Sequence, residues 1–456
     1  MVEFSYRTRK DDIKNLNGRH VTCLIIGGGI VGAGLANLLS HNKVETVLVE
    51  KGDFASGTSS GSSKLIHGGI RYLAQGHVKL TRDLLRERNY LIENTDIVKR
   101  LDFDILIDNY SWSPSYMRLG LFLYSLLGGK PEIPRMKRNN GEYERSVKGF
   151  FHYYDGVTDD SRLVIYNIVS AHDRGAYCLN YTEAVSFSDR KDGVEVTLRD
   201  NTGGREFSIT ADVVVNCTGP WINKVLSLYK PEINIPLKLS KGVHLVFDKK
   251  DVPAERAITF RSHIDRRQMF VIPRDSVAII GTTESLVRGP SDLSVENDDV
   301  DYIVNSVKRL FPNLSRNNVL AKYSGIRPLL GRGDNPDRIS RDFSIFTHGR
   351  MISVAGVKLT DFRHASRKIA REVGKFCGIR IRTSNLPVMD YRRPESGNPF
   401  REYIINECAL FPEDILRRRD GTTIYDPLNL GSVEKVVKDA FRSTGAVGVT
   451  WAETES

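Results

Sequence analysis

"VTCLIIGGGIVGAGLANLLSHNKVETVLVEKG", residues 21–52, decides the fold. Its first part is a β-rich apolar run that stops on glycines. "IVGAGLANLLSHN" then reads as a helix, and "VETVLVEKG" as a second strand ending in an acid. In this strand–helix–strand unit, Gly27, Gly29 and Gly32 occupy the places of a G-x-G-x-x-G turn. Each glycine answers a physical need, with a tight turn at Gly27, room for a pyrophosphate at Gly29 and close helix–strand packing at Gly32. Glu50 closes the second strand about 20 residues on, where a carboxylate accepts from ribose hydroxyls. The open N–H groups of the helix start would receive the pyrophosphate. The motif does not separate NAD from FAD. Standing alone it would also suit a glycine-rich packing turn, but the flanking strands and the acid favour a dinucleotide.

A dozen residues further on lies "SSKLIHGGIRYL", residues 62–73. It crowds two serines, a lysine, a histidine, an arginine and a tyrosine around a Gly-Gly pair. It neither alternates as a strand nor suits a helix. In isolation such a segment is most often a polar surface loop.

At 456 residues the chain is too long for one core, so two or three domains are expected. With 40% hydrophobic and 27% charged residues it is an ordinary globular composition. A net charge of +10 points to an anionic partner: nucleic acid, an acidic membrane face or a phosphorylated substrate. No basic low-complexity run or Cys/His finger supports nucleic acid. The five cysteines are scattered without a CxxC, so neither a metal site nor a disulfide framework is expected, and a reducing cytoplasm suits them. Residues 1–20 have no apolar core and do not read as a signal peptide; they read as a charged, exposed or loosely packed arm. "RLGLFLYSLLGG" is shorter than the roughly 20 residues of a spanning helix.

Further along, "VKLTRDLLRERNYLIEN" reads as a long helix and "TDDSRLVIYNIVSAHDRG" as a capped one. "CLNYTEAVSFS", "GVEVTLRD" and "EFSITADVVVNCTGPW" read as strands. Residues 236–330 are strand-rich, with a helix at 298–311, and "RMISVAGVKLTDFRHASRKIAREVGKF" returns to strand, glycine turn and helix. In that last helix Phe362, Ala365, Ile369, Val373 and Phe376 form one apolar face. Arg363, Arg367, Lys368, Arg371 and Lys375 fall outside it. Two readings stay open: a core helix with a charged back, or a basic face on anionic lipid.

Eight stretches in order resemble the FAD-dependent glycerol-3-phosphate dehydrogenases: "GGGIVGAG", "SSGSSKLIHGGIRYL", "TDDSRLV", "NCTGPW", "FVIP…IIGTTE", "YSGIRPL", "SRDF" and "VKLTDFR". The resemblance covers nearly the whole chain. It implies an α/β fold: a Rossmann-type FAD-binding domain interleaved with an α+β substrate domain carrying a mostly antiparallel sheet, plus a small C-terminal helical cap. The expected division gives the FAD domain residues 1–75, 150–235 and 340–384, and the substrate domain 76–149 and 236–339. The cap and a mobile tail take 385–456.

The implied reaction oxidises the C2 carbinol of glycerol 3-phosphate to dihydroxyacetone phosphate, a hydride leaving for flavin N5. The resemblance assigns FAD to Gly27, Gly29, Ile30, Gly32, Glu50, Lys51, Ser59, Ser62, Ser63, Lys64, Leu65, His67, Val185 and Gly219. Gly356, Lys358, Leu359 and Thr360 complete that set. Arg71, Tyr72, Arg327, Arg341 and Lys358 are assigned to substrate, with guanidinium forks on the phosphate. His67, Lys358 and Arg327 are the catalytic candidates. The base is His67, with Lys358 or a water beside Arg327 as alternatives.

The chain departs from the family's Gly-Gly-Lys-Leu-Thr-Thr-Tyr pattern at Val357, Asp361 and Phe362. A β-branched residue is awkward where a glycine had φ > 0, and an acid near the flavin would alter its potential. The partners implied are glycerol 3-phosphate, a quinone or other electron acceptor, an anionic membrane surface on the cytoplasmic side and a second copy of the chain. The competing readings are a flavoenzyme acting on another hydroxy or amino acid, and a non-catalytic flavin-binding protein.

Overall fold

The computed structural model describes residues 2–331, 342–384 and 398–444. The strand His20–Ile26 lies at the centre of an eight-stranded sheet. Parallel neighbours flank it, Thr46–Val49 on one side and Glu206–Asn216 on the other; beyond these lie Tyr177–Leu179 and Met351–Ala355, also parallel. Both faces of the central strand are buried. Cys23 and Ile25 meet the helices Ile30–His41, Asp160–Asp173 and Phe362–Cys377, while Val21, Leu24 and Ile26 meet Leu16, Ile222 and Leu226. A parallel strand covered on both sides needs a near-continuous apolar run, and "VTCLIIG" supplies it.

The second sheet has ten strands and is antiparallel apart from the pairing of Ala257–Arg261 with Val98–Ile107. Its longest pairing joins Leu237–Asp248 to Val319–Leu330, with Ser240 opposite Arg327. The helix Asn297–Lys308 covers one face through Val300, Ile303, Val304 and Val307. The short strand Leu65–Ile66 and the strand Gly149–Thr158 belong to this sheet. The "KLI" of the polar segment therefore runs out of the first sheet's territory and along the edge of the second.

The N-terminal arm differs from its reading as a loosely packed extension. It is a helix, Tyr6–Leu16, entered through a Ser5–Thr8 capping box. Phe4, Ile13 and Leu16 are buried, and the buried Arg9 donates to the Asn180 carbonyl at 2.9 Å and to Asp200 at 2.7 Å. Counting charges along the arm misses this, because the partners lie far away in the chain.

The C-terminal segment carries the helices Pro399–Asn406 and Leu430–Thr444, and buried charges at Glu407 and in the helical turn Asp414–Arg419 between them fasten it to the part of the chain that holds the first sheet. Asp53 accepts from Arg418 at 2.6 Å and from Arg419, and Arg162 makes a two-pronged pair with Glu407, one bond at 2.8 Å. Of the expected cap and tail at 385–456, residues 385–397 and 445–456 lie outside the described residues.

The helix Phe362–Cys377 is a core helix: Phe362, Ala365, Ile369 and Val373 are buried, although Phe376 is not. Phe362 packs where Gly34 has no side chain; a Cβ there would come within 2.6 Å of its ring. Part of the basic side is also engaged. Glu87 takes both Arg363, at 3.3 Å, and Arg367, and the Arg363 guanidinium lies 3.3 Å from the centre of the Tyr90 ring. Among the described residues no helix is long and apolar enough to cross a membrane.

Candidate active site

One cavity runs from the glycine turn to the junction of the two sheets. Gly27, Gly29, Ile30, Glu50, Lys51 and Ser59 line one end. Gly27 has φ +109°, and a Cβ there would meet the Cys217 carbonyl oxygen at 2.7 Å. Gly32 does not line the cavity. A Cβ on it would overlap the Gly27 carbonyl, so it serves close packing. Gly29 caps the helix Ile30–His41 with backbone alone, and the Ile30 N–H donates to Ser59 Oγ at 3.0 Å. Apart from that bond no capping side chain among the described residues covers the helix start, so its N–H dipoles face the cavity.

Glu50 accepts from the Gly28 N–H at 2.8 Å and the Gly52 N–H at 3.0 Å, one bond to each carboxylate oxygen. Burial pushes its pKa up and these two N–H groups pull it back. Each oxygen keeps a second lone pair for a ribose hydroxyl. Lys51 lies 4.2 Å from the centre of the Trp221 ring, and burial lowers its pKa. Gly219 lines the cavity at φ +55°. Val185 does not line it. The strand Thr182–Asp189 changes register between Ala184 and Ser186, and Glu183 and Ala184 face the cavity instead.

The other end brings together Ser62, Ser63, Leu65, His67, Tyr72, Arg327, Gly356, Lys358 and Leu359. Ser62 donates to Asp160 at 2.6 Å, and Ser63 Oγ is 2.9 Å from His244 Nε2. Lys64 departs from its expected place. Its ammonium is buried against Asp160, between the rings of Tyr323 and Tyr425, and outside the cavity. Lys64 stands just before the strand Leu65–Ile66 with φ +57°, so a left-handed backbone rather than strand alternation sets its direction. Thr360 is also outside the cavity; its hydroxyl donates to the His67 carbonyl at 3.1 Å and ties the two loops together.

His67 sits in front of a buried anchor. Asp155 accepts from the Gly68 N–H at 3.1 Å, from Arg88 at 2.8 Å and from the Tyr124 hydroxyl at 2.8 Å. Gly68 has no room for a side chain against Leu85 and Tyr124, and Gly69 has φ +76°. Burial lowers the His67 pKa, Asp155 opposes this, and Lys358 lowers it further. His67 is therefore neutral at ordinary pH, as a base must be.

Lys358 Nζ lies 5.2 Å from the centre of the Tyr72 ring, and Arg327 donates to Thr282 Oγ1 at 3.0 Å. Arg71, on the short helix Ile70–Ala74, does not line the cavity but stands near Arg261. Arg341 lies outside the described residues. Val357 raises no backbone conflict: only the adjoining Gly356 has φ +86°, and Val357 is not among the described side-chain-bearing residues with positive φ.

Asp160, Asp155, His244 and Thr282 escape a reading of the sequence. Asp160 stands in "TDDSRLV", which reads as a helix cap and a family stretch but assigns the acid no partner, and His244 is a lone histidine in an apolar strand. Burial, then Arg327 and Lys64, hold the His244 pKa down at about 3, so it stays a neutral brace for Ser63.

The glycine turn, the helix start and Glu50 suit a dinucleotide, and the cavity's far end has Leu65 and Val357 beside the cations Lys358 and Arg327. The family comparison agrees: residues 22–359 match the model for FAD dependent oxidoreductases. This chain belongs to that family. Within the family it groups with proteins named aerobic glycerol-3-phosphate dehydrogenase. That of Staphylococcus epidermidis RP62A is 34% identical over 90% of this chain and 79% of its own length. That of Staphylococcus aureus MRSA252 is 33% identical over 79% of this chain and 68% of its own. Among solved structures, the FAD complex of a Bacillus halodurans glycerol-3-phosphate dehydrogenase superposes with a TM-score of 0.78. It shares 24% identity and covers 97% of this chain and 95% of its own. An L-alpha-glycerophosphate oxidase of Mycoplasma pneumoniae gives 0.63, with 19% identity over 82% and 99%. Both sheets and the C-terminal helices thus belong to the architecture of this oxidoreductase family.

Proposed function

We propose that this protein binds FAD and oxidises sn-glycerol 3-phosphate to dihydroxyacetone phosphate. One observation carries the reading: a single cavity joins the dinucleotide cradle at Gly29 and Glu50 to His67, Arg327 and Lys358. Bound FAD supplies the two-electron acceptor for the hydride that leaves C2. Neutral His67 takes the hydroxyl proton as the C2–O bond becomes a carbonyl. Lys358 lowers the energy of negative charge that develops on that oxygen or at the cofactor's edge. Arg327 offers its guanidinium to the phosphate, and Tyr72 closes the side of the pocket that carries Lys358. By the family resemblance alone, Arg341 is proposed as a further substrate contact, while Arg71 lies outside the cavity.

A quinone is the proposed acceptor of the electrons, met at an anionic membrane surface on the cytoplasmic side. The helix Pro114–Leu127 supports that contact better than Phe362–Cys377. It turns Met117, Leu121 and Tyr124 inward and leaves Tyr116, Leu119, Leu123 and Leu126 exposed along the opposite side. Arg118 on this helix, and Lys130, Arg135, Lys137 and Arg138 in the segment that follows it, are exposed too.

Anaerobic addition of glycerol 3-phosphate to the FAD-loaded protein tests the proposal. The yellow flavin absorbance should bleach with glycerol 3-phosphate and persist with glycerol, hydroxy acids and amino acids. A quinone analogue should then restore it. Bleaching by an amino or hydroxy acid instead would move the protein to another substrate of the same fold. A folded protein that takes up no FAD would overturn the proposal outright.

A further inference from the structure

Asp361 ends the turn Leu359–Asp361 and precedes the helix Phe362–Cys377. Its side chain is only 2% exposed, and Oδ1 has no hydrogen-bond partner among the described residues. Aspartate at this position of a helix ordinarily accepts from the first-turn N–H groups, but this one makes no such bond. A carboxylate buried without its full set of partners is held at a cost unless it keeps a proton. Four charged groups face it. Lys358 comes from the preceding turn, Lys368 from the following helix, Glu87 from the helix Val78–Asn94, and Asp342 from the segment before the strand Ser344–His348. The two cations and the two carboxylates act in opposite directions, and burial is the largest influence. It raises the Asp361 pKa to about 7, with Lys358 opposing and Glu87 and Asp342 adding to the rise.

Lys358 lines the cavity and Asp361 lies directly behind it, its N–H bonded to the Lys358 carbonyl at 3.0 Å. We propose that Asp361 is a positioning residue that sets the net charge at the Lys358 end of the cofactor cavity. Ionised, it offsets the lysine; protonated, it leaves the lysine's field undiminished. The proton is exchanged with solvent and no bond in the substrate is touched. Near neutrality the site thus passes from a more to a less positive field as pH rises. A reduced, anionic flavin and a phosphate dianion both lose stabilisation in that direction. The cofactor and substrate named here rest on the function proposed above; the buried charge does not.

Two measurements on Asp361→Asn and Asp361→Thr test this. The first is the flavin midpoint potential of the loaded protein from acid to alkaline pH. The wild type should show an extra downward bend around neutrality that both variants lack. The second is thermal melting of the FAD-free protein. The native carboxyl keeps its proton up to about pH 7, whereas an unfolded chain releases it near 3.8. The wild type therefore loses stability as pH rises through that window. The variants should melt close to the wild type at the acid end and clearly higher at pH values above neutrality. Parallel melting curves together with identical potential curves would overturn the proposal. If FAD or glycerol 3-phosphate is the wrong ligand, melting still reads Asp361, so the two failures are distinguishable. Should the asparagine variant fold poorly, the threonine variant reports the same pair of curves.

Discussion

Lys64 and Asp160 form an ion pair inside the protein, with side chains 1% and 0% exposed. Asp160 also accepts from the Ser62 hydroxyl at 2.6 Å and its N–H at 3.1 Å. The pair therefore pins the segment that leads to His67. Removing one charge leaves the other buried and unmatched. Lys64→Ala should cost about 3–5 kcal/mol of stability. Urea unfolding of the FAD-free protein checks this, and a loss below about 1 kcal/mol, the range of exposed pairs, would contradict the burial.

Glu50 should control cofactor retention. Glu50→Ala removes the acceptor for Gly28 and Gly52 together with the proposed ribose contact. At about 1–3 kcal/mol for partners left unmatched, FAD should bind roughly 5- to 150-fold more weakly. Flavin content after gel filtration and a titration of the apoprotein measure it. Full retention would remove Glu50 from the ribose.

The local motifs are legible in the sequence because their meaning is local. A strand, a glycine turn and an acid at the next strand's end need only chain spacing, and the apolar run at 21–26 announces a strand buried on both faces. Lys64 is not legible, since its role depends on Asp160, which the sheet brings to it from another part of the chain. Arg9 and the arm it anchors are hidden for the same reason, as is Ser63 with His244. Val185 is lost to a single extra residue in one strand, a slip that periodicity does not reveal.

Arg327 is proposed to read the phosphate. Arg327→Ala should cost about 1.5–3 kcal/mol in kcat/KM for glycerol 3-phosphate, the range of a charge-assisted hydrogen bond. Unphosphorylated glycerol, already a poor substrate, should be affected far less. Equal losses for both would place Arg327 elsewhere in the reaction.

His67 predicts the acid limb of the pH profile. Burial and Lys358 both push its pKa down from 6.5. The neutral base therefore persists below that value, and flavin reduction in a single turnover should fall only in more acidic buffer. Lys358→Met removes a lowering charge and should shift the limb upward, besides slowing the step. A limb that starts above 6.5 in the wild type, or one that ignores Lys358→Met, would indicate another base.

The proposed lipid contact lies on Pro114–Leu127 rather than on the basic helix that the sequence offers for it. In Phe362–Cys377 the apolar face is spent on the core and Arg367 on Glu87, while Arg371 stays exposed. In Pro114–Leu127, Leu119 is 56% and Leu126 49% exposed, with Arg118 exposed on the same helix. Each basic side chain near an acidic surface contributes about 1 kcal/mol, and buried apolar area about 25 cal/mol per Å². Binding to phosphatidylserine vesicles in sedimentation should weaken with salt, yet not vanish, because the apolar part is not screened. Leu119→Glu with Leu123→Glu should abolish it, and Arg371→Glu should change it little. Loss with Arg371→Glu alone would return the contact to Phe362–Cys377. If the leucine variants instead dissociate a dimer in solution and leave vesicle binding intact, the stripe joins two copies of this chain rather than a membrane.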